Sequence, residues 1–122
     1  MLQPGEILRS VRIPAPGANA RSSYLKFREK GSFDFALASV ALALALEGGK
    51  IREARVVLGG VAPIPWRAKG AEAALVGQAP ARALFEKAAL ESVRGAEPLA
   101  HNAYKVPLVK GLLIRALEEL CA

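Results

Sequence analysis

The spacing of hydrophobic residues divides the chain into two parts near residue 65. Before this point apolar residues alternate with polar ones or form short runs between glycines and prolines, whereas after it they recur every three or four positions. Strands followed by helices predict an α+β fold, a two-layer sandwich in which three helices pack on one face of an antiparallel sheet of three to four strands. We expect a single domain over residues 1–122, with strands within about 7–60 and helices within about 66–120.

Two short segments alternate strictly enough to predict strands. The first is Ile7–Ile13, where Arg9 interrupts an otherwise apolar face and Pro14 ends the segment. The second is Ser23–Arg28, in which Leu25 shares a face with the aromatic residue two positions later. We therefore expect these segments to form the first two strands of the sheet.

A β-hairpin is predicted in the middle of the chain. The alanine and leucine content of Phe35–Leu46 favours helix by intrinsic propensity. The context favours strand, because Gly48-Gly49 is a tight-turn pair and Ile51–Leu58 is rich in β-branched residues. The pair Gly59-Gly60 ends the hairpin, and the prolines of Val61–Pro65 indicate an extended linker.

Three helices are predicted after the linker. The first covers Arg67–Val76, and the second begins with Pro80 in its first turn and ends at Gly95. The third begins near Asn102 as N-cap, with Pro107 in its first turn. Its apolar stripe has helical spacing and consists of Val109, Leu112, Leu113, Ala116, Leu117 and Leu120.

Composition fits a folded domain but does not reveal its function. Hydrophobic residues make up 52% of the chain and charged residues 23%, which disfavours disorder, and the many alanines indicate closely packed elements. The net charge is +6, yet the positive residues are spread along the chain and are densest at Lys26–Lys30. Phosphate binding normally requires many clustered cations, so a solvated strand end is favoured over contact with phosphate or with an acidic partner.

Residues for independent catalysis are missing from the sequence. One cysteine and one histidine exclude an internal disulfide and a zinc site, and no nucleotide-binding glycine motif occurs. Trp66 has the character of a ligand platform, but an aromatic that seals the crossover from sheet to helices is the favoured interpretation. No apolar run reaches the length of a membrane span and no signal peptide is recognisable, so we expect a cytoplasmic protein without membrane partners.

Four blocks along the chain carry a family resemblance. They are Pro4–Leu8 with Val11–Pro14, Tyr24–Arg28 with Asp34–Ala36, Ala54–Pro63 with Pro65–Ala68 and Glu72, and Pro98–Leu99 through His101–Pro107 to Arg115–Leu117. In this order they resemble the C-terminal domain of the FAD-binding (medium) subunit of molybdenum hydroxylases, the family of carbon monoxide dehydrogenase and xanthine dehydrogenase. The resemblance implies a four-stranded sheet backed by three helices, in agreement with the residue pattern.

The resemblance also implies a role in electron transfer within an oxidoreductase complex. In such enzymes a molybdenum cofactor on a large subunit oxidises the substrate, two-iron two-sulfur clusters on a small subunit carry the electrons, and FAD on the medium subunit passes them to an acceptor. The FAD is shared between this domain and an N-terminal FAD-binding region that the chain lacks. We therefore expect no independent activity and weak or no FAD binding by the chain alone.

The resemblance places two residues beside the flavin, in the turn between two strands: Lys26 and Asp34. It implies that the ammonium group of Lys26 favours the reduced flavin and that Asp34 orients the turn or tempers its charge. Without the resemblance, Lys26 is a solvated strand residue and Asp34 a turn former. The segment Pro98–Asn102 is shorter than in many relatives, which leaves the substrate open.

Two other functions remain as alternatives. One is a freestanding interaction module with a basic surface that binds nucleic acid, although nucleic acid is not the expected partner. The other is a small independent enzyme, which ranks last because no acid–base pair is present.

Overall fold

The architecture confirms the predicted α+β class. The structure, a computed structural model, describes residues 2–31 and 33–122, and these form a four-stranded antiparallel sheet in the order β1-β2-β3-β4, followed by three helices. The elements are β1 Ala20–Phe27, β2 Ala38–Glu47, β3 Lys50–Gly59, β4 Trp66–Arg67, α1 Lys69–Leu75, α2 Arg82–Ser92 and α3 Lys105–Cys121. No helix in the described part of the chain is both long enough and apolar enough to cross a lipid bilayer.

The predicted hairpin is confirmed as β2 and β3. Gly48 and Gly49 both have positive φ, 57° and 74°, which suits the two-residue turn that matches the twist of paired strands. Every second side chain of β2 is buried against the helices, including Val40, Leu42 and Leu44. Tertiary packing therefore overrides the helix propensity of this alanine- and leucine-rich segment.

The second predicted strand is confirmed as β1, but the first predicted strand is wrong. Ile7–Ile13 forms no strand, and the side chains of Ile7 and Ile13 are 87% and 85% exposed. An alternating segment becomes a strand only when a neighbouring strand satisfies its N–H and C=O groups. None of the four strands of the sheet pairs with Ile7–Ile13.

The fourth strand of the sheet is β4, Trp66–Arg67, where the sequence pattern predicts the end of a linker and the start of a helix. In the sheet Trp66 pairs with Leu58 and Arg67 pairs with Val57. Helix α1 consequently begins at Lys69 rather than at Arg67. A two-residue strand has no periodicity of its own, so only its pairing with β3 reveals it.

All three helices are confirmed, with corrections at their starts. Helix α2 begins at Arg82 with Ala81 as N-cap, so Pro80 precedes the first turn. The N-cap of α3 is Tyr104, and Asn102 accepts a hydrogen bond from the Leu99 N–H at 2.7 Å instead of capping the helix. The predicted stripe of α3 is buried at Val109, Leu112, Leu113, Ala116 and Leu117 and half-buried at Leu120.

The core lies between the sheet and the helices. The largest fully buried side chains come from both layers: Leu42, Leu44, Ile51, Leu75, Leu113, Leu117, Val40, Val56 and Val109. The opposite face of β2 carries small residues only, at Ser39, Ala41, Ala43 and Ala45. Helices α1 and α3 cover one face of the sheet and α2 packs against these two helices, so the other face and the ends of the sheet are available for other contacts.

Candidate functional site

The structure brings the two predicted site residues, Lys26 and Asp34, together. Lys26 is near the end of β1, and Asp34 lies in the connection from β1 to β2, which we call the β1–β2 turn (residues 28–37). The Nζ of Lys26 donates a hydrogen bond to the main-chain oxygen of Asp34 at 3.0 Å. No ion pair joins the two side chains within residues 2–31 and 33–122. The ammonium group of Lys26 therefore holds the turn through its backbone rather than through the Asp34 carboxylate.

Two aromatic side chains flank Asp34 and are almost completely exposed. These are Phe33 and Phe35, and the Nζ of Lys26 lies 6.0 Å from the centroid of the Phe33 ring, at the outer limit of a cation–π contact. Tyr24, also exposed, shares the face of β1 that carries Lys26. The described part of the turn thus places two exposed rings beside a cation, a grouping of exposed apolar side chains that soluble domains use for contacts. Our sequence interpretation assigned no role to the two phenylalanines, although their position on either side of Asp34 was visible.

A row of small residues forms the base of the turn. Lys26 pairs with Ser39, and Ser39 pairs with Gly59 on the next strand. A Cβ atom at Gly59 would lie only 2.4 Å from the Ser39 Oγ. At Gly60, where φ is +72°, a Cβ atom would lie 2.9 Å from the main-chain oxygen of Leu37. The glycine pair therefore does more than end the strand, since it lets β3 approach the base of the β1–β2 turn.

Helix α3 is attached to the same corner of the domain. The Nζ of Lys105, at the start of α3, donates a hydrogen bond to the main-chain oxygen of Gly60 at 2.6 Å. The Leu37 N–H donates to the Phe27 oxygen at 2.9 Å and closes the ends of the turn. The position of the Lys26–Asp34 pair is thus set by the sheet, by the glycine pair and by α3.

A second charged pair lies away from the turn, at the opposite edge of the sheet. Glu72 of α1 is only 8% exposed and accepts two hydrogen bonds in parallel from Arg67, at 2.9 Å and 3.0 Å. Its Oε1 also accepts the Val56 N–H at 3.0 Å. This carboxylate therefore satisfies a β3 donor beyond the short β4, a structural role.

The surroundings of Glu72 lower its pKa. Burial by itself raises the pKa of this carboxyl group, because it penalises the charged form. The hydrogen bonds from Arg67 and from the Val56 N–H, together with the positive charges of Arg67 and Arg55, outweigh burial. The pKa of Glu72 consequently lies below its ordinary value, and the residue is ionised at neutral pH.

A cleft of about 220 Å³ separates the end of β3 from the α2–α3 connection. Trp66 lines it together with Val61, Val106 and Lys105, and the indole is half exposed. Trp66 thus stands at the crossover as predicted but leaves it partly open. No cluster of three or more His, Cys, Asp or Glu residues suited to a metal ion occurs in the part of the chain that the structure describes.

The four-stranded sheet followed by three helices is the fold of a known class of protein, the C-terminal domains of flavoprotein subunits. The sequence model of the CO dehydrogenase flavoprotein C-terminal domain matches residues 22–120. The chain belongs to this family, which confirms the resemblance seen in its four sequence blocks.

Two curated relatives extend the match over almost the whole chain. The chain is 36% identical over 118 residues to the aldehyde oxidoreductase FAD-binding subunit PaoB of Escherichia coli, which covers 97% of this chain and 34% of the relative. It is 31% identical over 122 residues to the carbon monoxide dehydrogenase medium chain of Afipia carboxidovorans, covering 97% of this chain and 42% of the relative. The chain therefore spans between a third and a half of these relatives.

Solved structures share the fold. Carbon monoxide dehydrogenase from Hydrogenophaga pseudoflava superposes with a TM-score of 0.82 at 31% identity, over 88% of this chain and 39% of that chain. Quinoline 2-oxidoreductase from Pseudomonas putida gives a TM-score of 0.79 at 25% identity, over 89% of this chain and 39% of that chain.

Proposed function

We propose that this chain is the C-terminal domain of a FAD-binding electron-transfer subunit in a molybdenum-containing hydroxylase or dehydrogenase. It completes the flavin pocket and docks to partner subunits without being catalytic alone. The observation that carries the proposal is the β1–β2 turn, where a fixed ammonium group and two exposed aromatic rings meet in a domain of the CO dehydrogenase flavoprotein family.

The residues of the turn fit one wall of a flavin site. Lys26 supplies a positive charge held by the Asp34 carbonyl, Asp34 supplies a carboxylate, and Phe33 and Phe35 supply apolar surface. The glycine pairs of the described chain lie in turns or at the end of β3, and neither offers a cradle for a pyrophosphate. The residues present therefore fit the flavin ring but need a second region for the nucleotide.

Lys26 and Asp34 have opposite electrostatic effects in this proposal. When bound, FAD accepts an electron pair and passes it on. A positive charge beside the ring stabilises its electron-rich state, most strongly where water is excluded. Lys26 therefore raises the flavin reduction potential, and the Asp34 carboxylate limits that rise.

The partners follow from the relatives. One is named a FAD-binding subunit and the other a medium chain, so each is one component of a larger enzyme. One similar solved structure is a Cu,Mo-CO dehydrogenase. By extension this chain works with an N-terminal FAD-binding region, a large subunit that holds the molybdenum cofactor and a small subunit that holds the two-iron two-sulfur clusters, in the cytoplasm.

The nucleic-acid alternative gains no support from the surface. Much of the positive charge is balanced locally, because arginines on several elements form ion pairs with glutamates: Arg52, Arg67, Arg82, Arg94 and Arg115. The remaining excess of +6 is spread along the chain rather than clustered as phosphate binding normally requires.

A chimeric flavoprotein tests the proposal. The matching third of E. coli PaoB is replaced by this chain, and the purified protein is examined for retained FAD by its visible spectrum after gel filtration. We expect the chimera to keep FAD and the 122-residue chain alone to remain colourless. A chimera that folds but loses FAD, while unaltered PaoB keeps it, would contradict the proposal.

Substitution of Lys26 in the same chimera tests the proposed charge effect. Lys26→Met should lower the flavin reduction potential by about 30 mV, which for a two-electron couple corresponds to about 1.4 kcal/mol. Lys26→Arg, which keeps the charge, should leave it nearly unchanged. Equal potentials for Lys26→Met and the unsubstituted chimera would remove Lys26 from the flavin site.

A further inference from the structure

The first residues of the chain form an exposed extended segment, which we call the N-terminal arm (residues 2–17). Apart from a turn at residues 3–6, it has no regular structure. Five of its large apolar side chains are exposed: Leu2 at 57%, Ile7 at 87%, Leu8 at 70%, Val11 at 72% and Ile13 at 85%. Exposed apolar side chains at this density mark a surface that another structure covers.

The arm has the pattern of a strand with one face to bury. In an extended chain its odd positions form one face, which is apolar at Ile7, Val11 and Ile13. Between residues 7 and 13, Arg9 is the one charged residue of the odd face, and the even face carries the polar Ser10 and Arg12 beside Leu8. Pro4 and Pro14 stand at the two ends, where their missing N–H groups limit a strand to the residues between them.

The main-chain groups in the middle of the arm also lack partners in the described part of the chain. Within the described residues no main-chain hydrogen bond involves residues 7–13. The side of β3 that faces away from β2 is already occupied, since it pairs with β4, donates the Val56 N–H to Glu72 and exchanges hydrogen bonds between Ile51 and residues 77–78. The outer edge of β1 is open, yet the arm does not pair with it. The described domain therefore provides no strand partner for the arm.

The comparisons locate the arm relative to the family domain. The family domain begins its match at residue 22, after the arm. The E. coli relative nevertheless aligns with 97% of this chain, so its own sequence includes a counterpart of most of the arm. In that relative the arm is thus part of the flavoprotein but precedes the domain to which it is attached here.

We propose that the N-terminal arm is a β-strand of the preceding FAD-binding region, pairing with an open edge of a sheet there and burying its odd face. This inference rests on the proposed function, because that function supplies the preceding region. Main-chain hydrogen bonds provide the pairing, and the pockets for alternate side chains fix its register. The arm thereby joins the two parts of the flavoprotein by a shared strand as well as by a linker.

Hydrogen exchange of residues 7–13 tests the inference. In the isolated chain these amides should exchange at the rate of an unstructured peptide. In the PaoB chimera the same amides should exchange at least about tenfold more slowly. Full exchange at the unprotected rate in a folded chimera would overturn the inference, and the arm would then be a plain linker.

A matched pair of substitutions tests which face is buried. Val11→Asp places a charge on the odd face and should abolish protection in the chimera, whereas Ser10→Asp on the even face should preserve it. Neither should change the thermal unfolding of the isolated 122-residue chain, because the arm contributes nothing to its core. Equal loss of protection in both variants would overturn the burial of the odd face.

The test separates this inference from the proposed function. Protection of the arm in a chimera that retains no FAD supports strand pairing and counts against the flavin role. Retention of FAD without protection of the arm supports the flavin role and counts against strand pairing. If the chimera fails to fold, exchange is measured on unaltered E. coli PaoB over the residues aligned with 7–13, and rapid exchange there overturns the inference.

Discussion

Residues on the helix-covered side of the sheet are buried, whereas those of the β1–β2 turn and of the N-terminal arm are exposed. On the covered side, large side chains such as Leu42, Leu113 and Leu117 are at most 2% exposed, and the Glu72 carboxylate accepts hydrogen bonds from Arg67 and from the Val56 N–H. Phe33 and Phe35 follow the last residue of β1, the N-terminal arm precedes the first, and both segments present apolar groups to solvent. The difference teaches that stability and contact with other chains depend on separate residues, so substitutions should alter one without the other.

The largest expected effect comes from the core. Leu117→Ala leaves a cavity in α3 and should lower the free energy of unfolding by about 3 kcal/mol. The control is Leu90→Ala on the exposed face of α2, which should change it by less than about 0.5 kcal/mol. Urea unfolding of the isolated chain measures both, and similar losses would contradict the assigned core.

The Glu72 interaction should have the next largest effect. Glu72→Ala leaves the buried Val56 N–H without its acceptor and should cost about 2 kcal/mol at pH 7. The exposed pair of Arg115 with Glu119 provides the control, since Glu119→Ala should cost less than about 1 kcal/mol.

Acid should remove the same stabilisation. Because the pKa of Glu72 is lower in the folded state than in the unfolded chain, its contribution is fully present above the unfolded value and is lost as pH falls through the folded value. The difference in unfolding free energy between the parent chain and Glu72→Gln should therefore shrink in acid. A difference independent of pH would contradict an ionised Glu72.

A smaller effect is expected at the corner beneath the β1–β2 turn. Gly60→Ala forces a positive φ and a clash with a main-chain oxygen, so it should cost about 1–3 kcal/mol. Gly59→Ala meets only the Ser39 hydroxyl, which can rotate, and should cost less. Thermal unfolding ranks the two, and the addition of Ser39→Ala should relieve Gly59→Ala but not Gly60→Ala.

The smallest effect on stability is expected from the exposed rings. Phe33→Ser and Phe35→Ser should leave the unfolding free energy within about 0.5 kcal/mol of the parent. In the PaoB chimera they should weaken FAD binding severalfold, by about 1 kcal/mol for each lost aromatic contact. A chimera that binds FAD equally well without the rings would place the flavin elsewhere.

Local chemistry made much of the fold predictable. The hairpin follows from Gly48-Gly49 between two apolar runs, and α3 follows from a stripe that only a helix can bury. The arm shows the limit of this reasoning, because its alternation is that of a strand while its partner lies outside the domain. The two residues of β4 are a strand only by virtue of pairing with β3, so no local signal marks them.

The sequence named two candidate residues for the site but not the geometry between them. Lys26 and Asp34 came from the family resemblance, and their proximity in the structure agrees with a shared turn. The bond to the Asp34 carbonyl rather than its carboxylate, and the contact of Ser39 with Gly59, depend on how three strands align. Sequence spacing holds no information on such contacts between strands.

The hairpin turn at Gly48-Gly49 lies at the far end of β2 and β3 from the Gly59–Gly60 corner. Strands of ten residues separate the two ends by roughly 30 Å. Nothing lies within 4 Å of a Cβ atom built at either turn glycine, and lengthening a surface loop costs little chain entropy. A fluorophore or an affinity label attached at this tip should therefore leave the opposite end of the sheet unchanged.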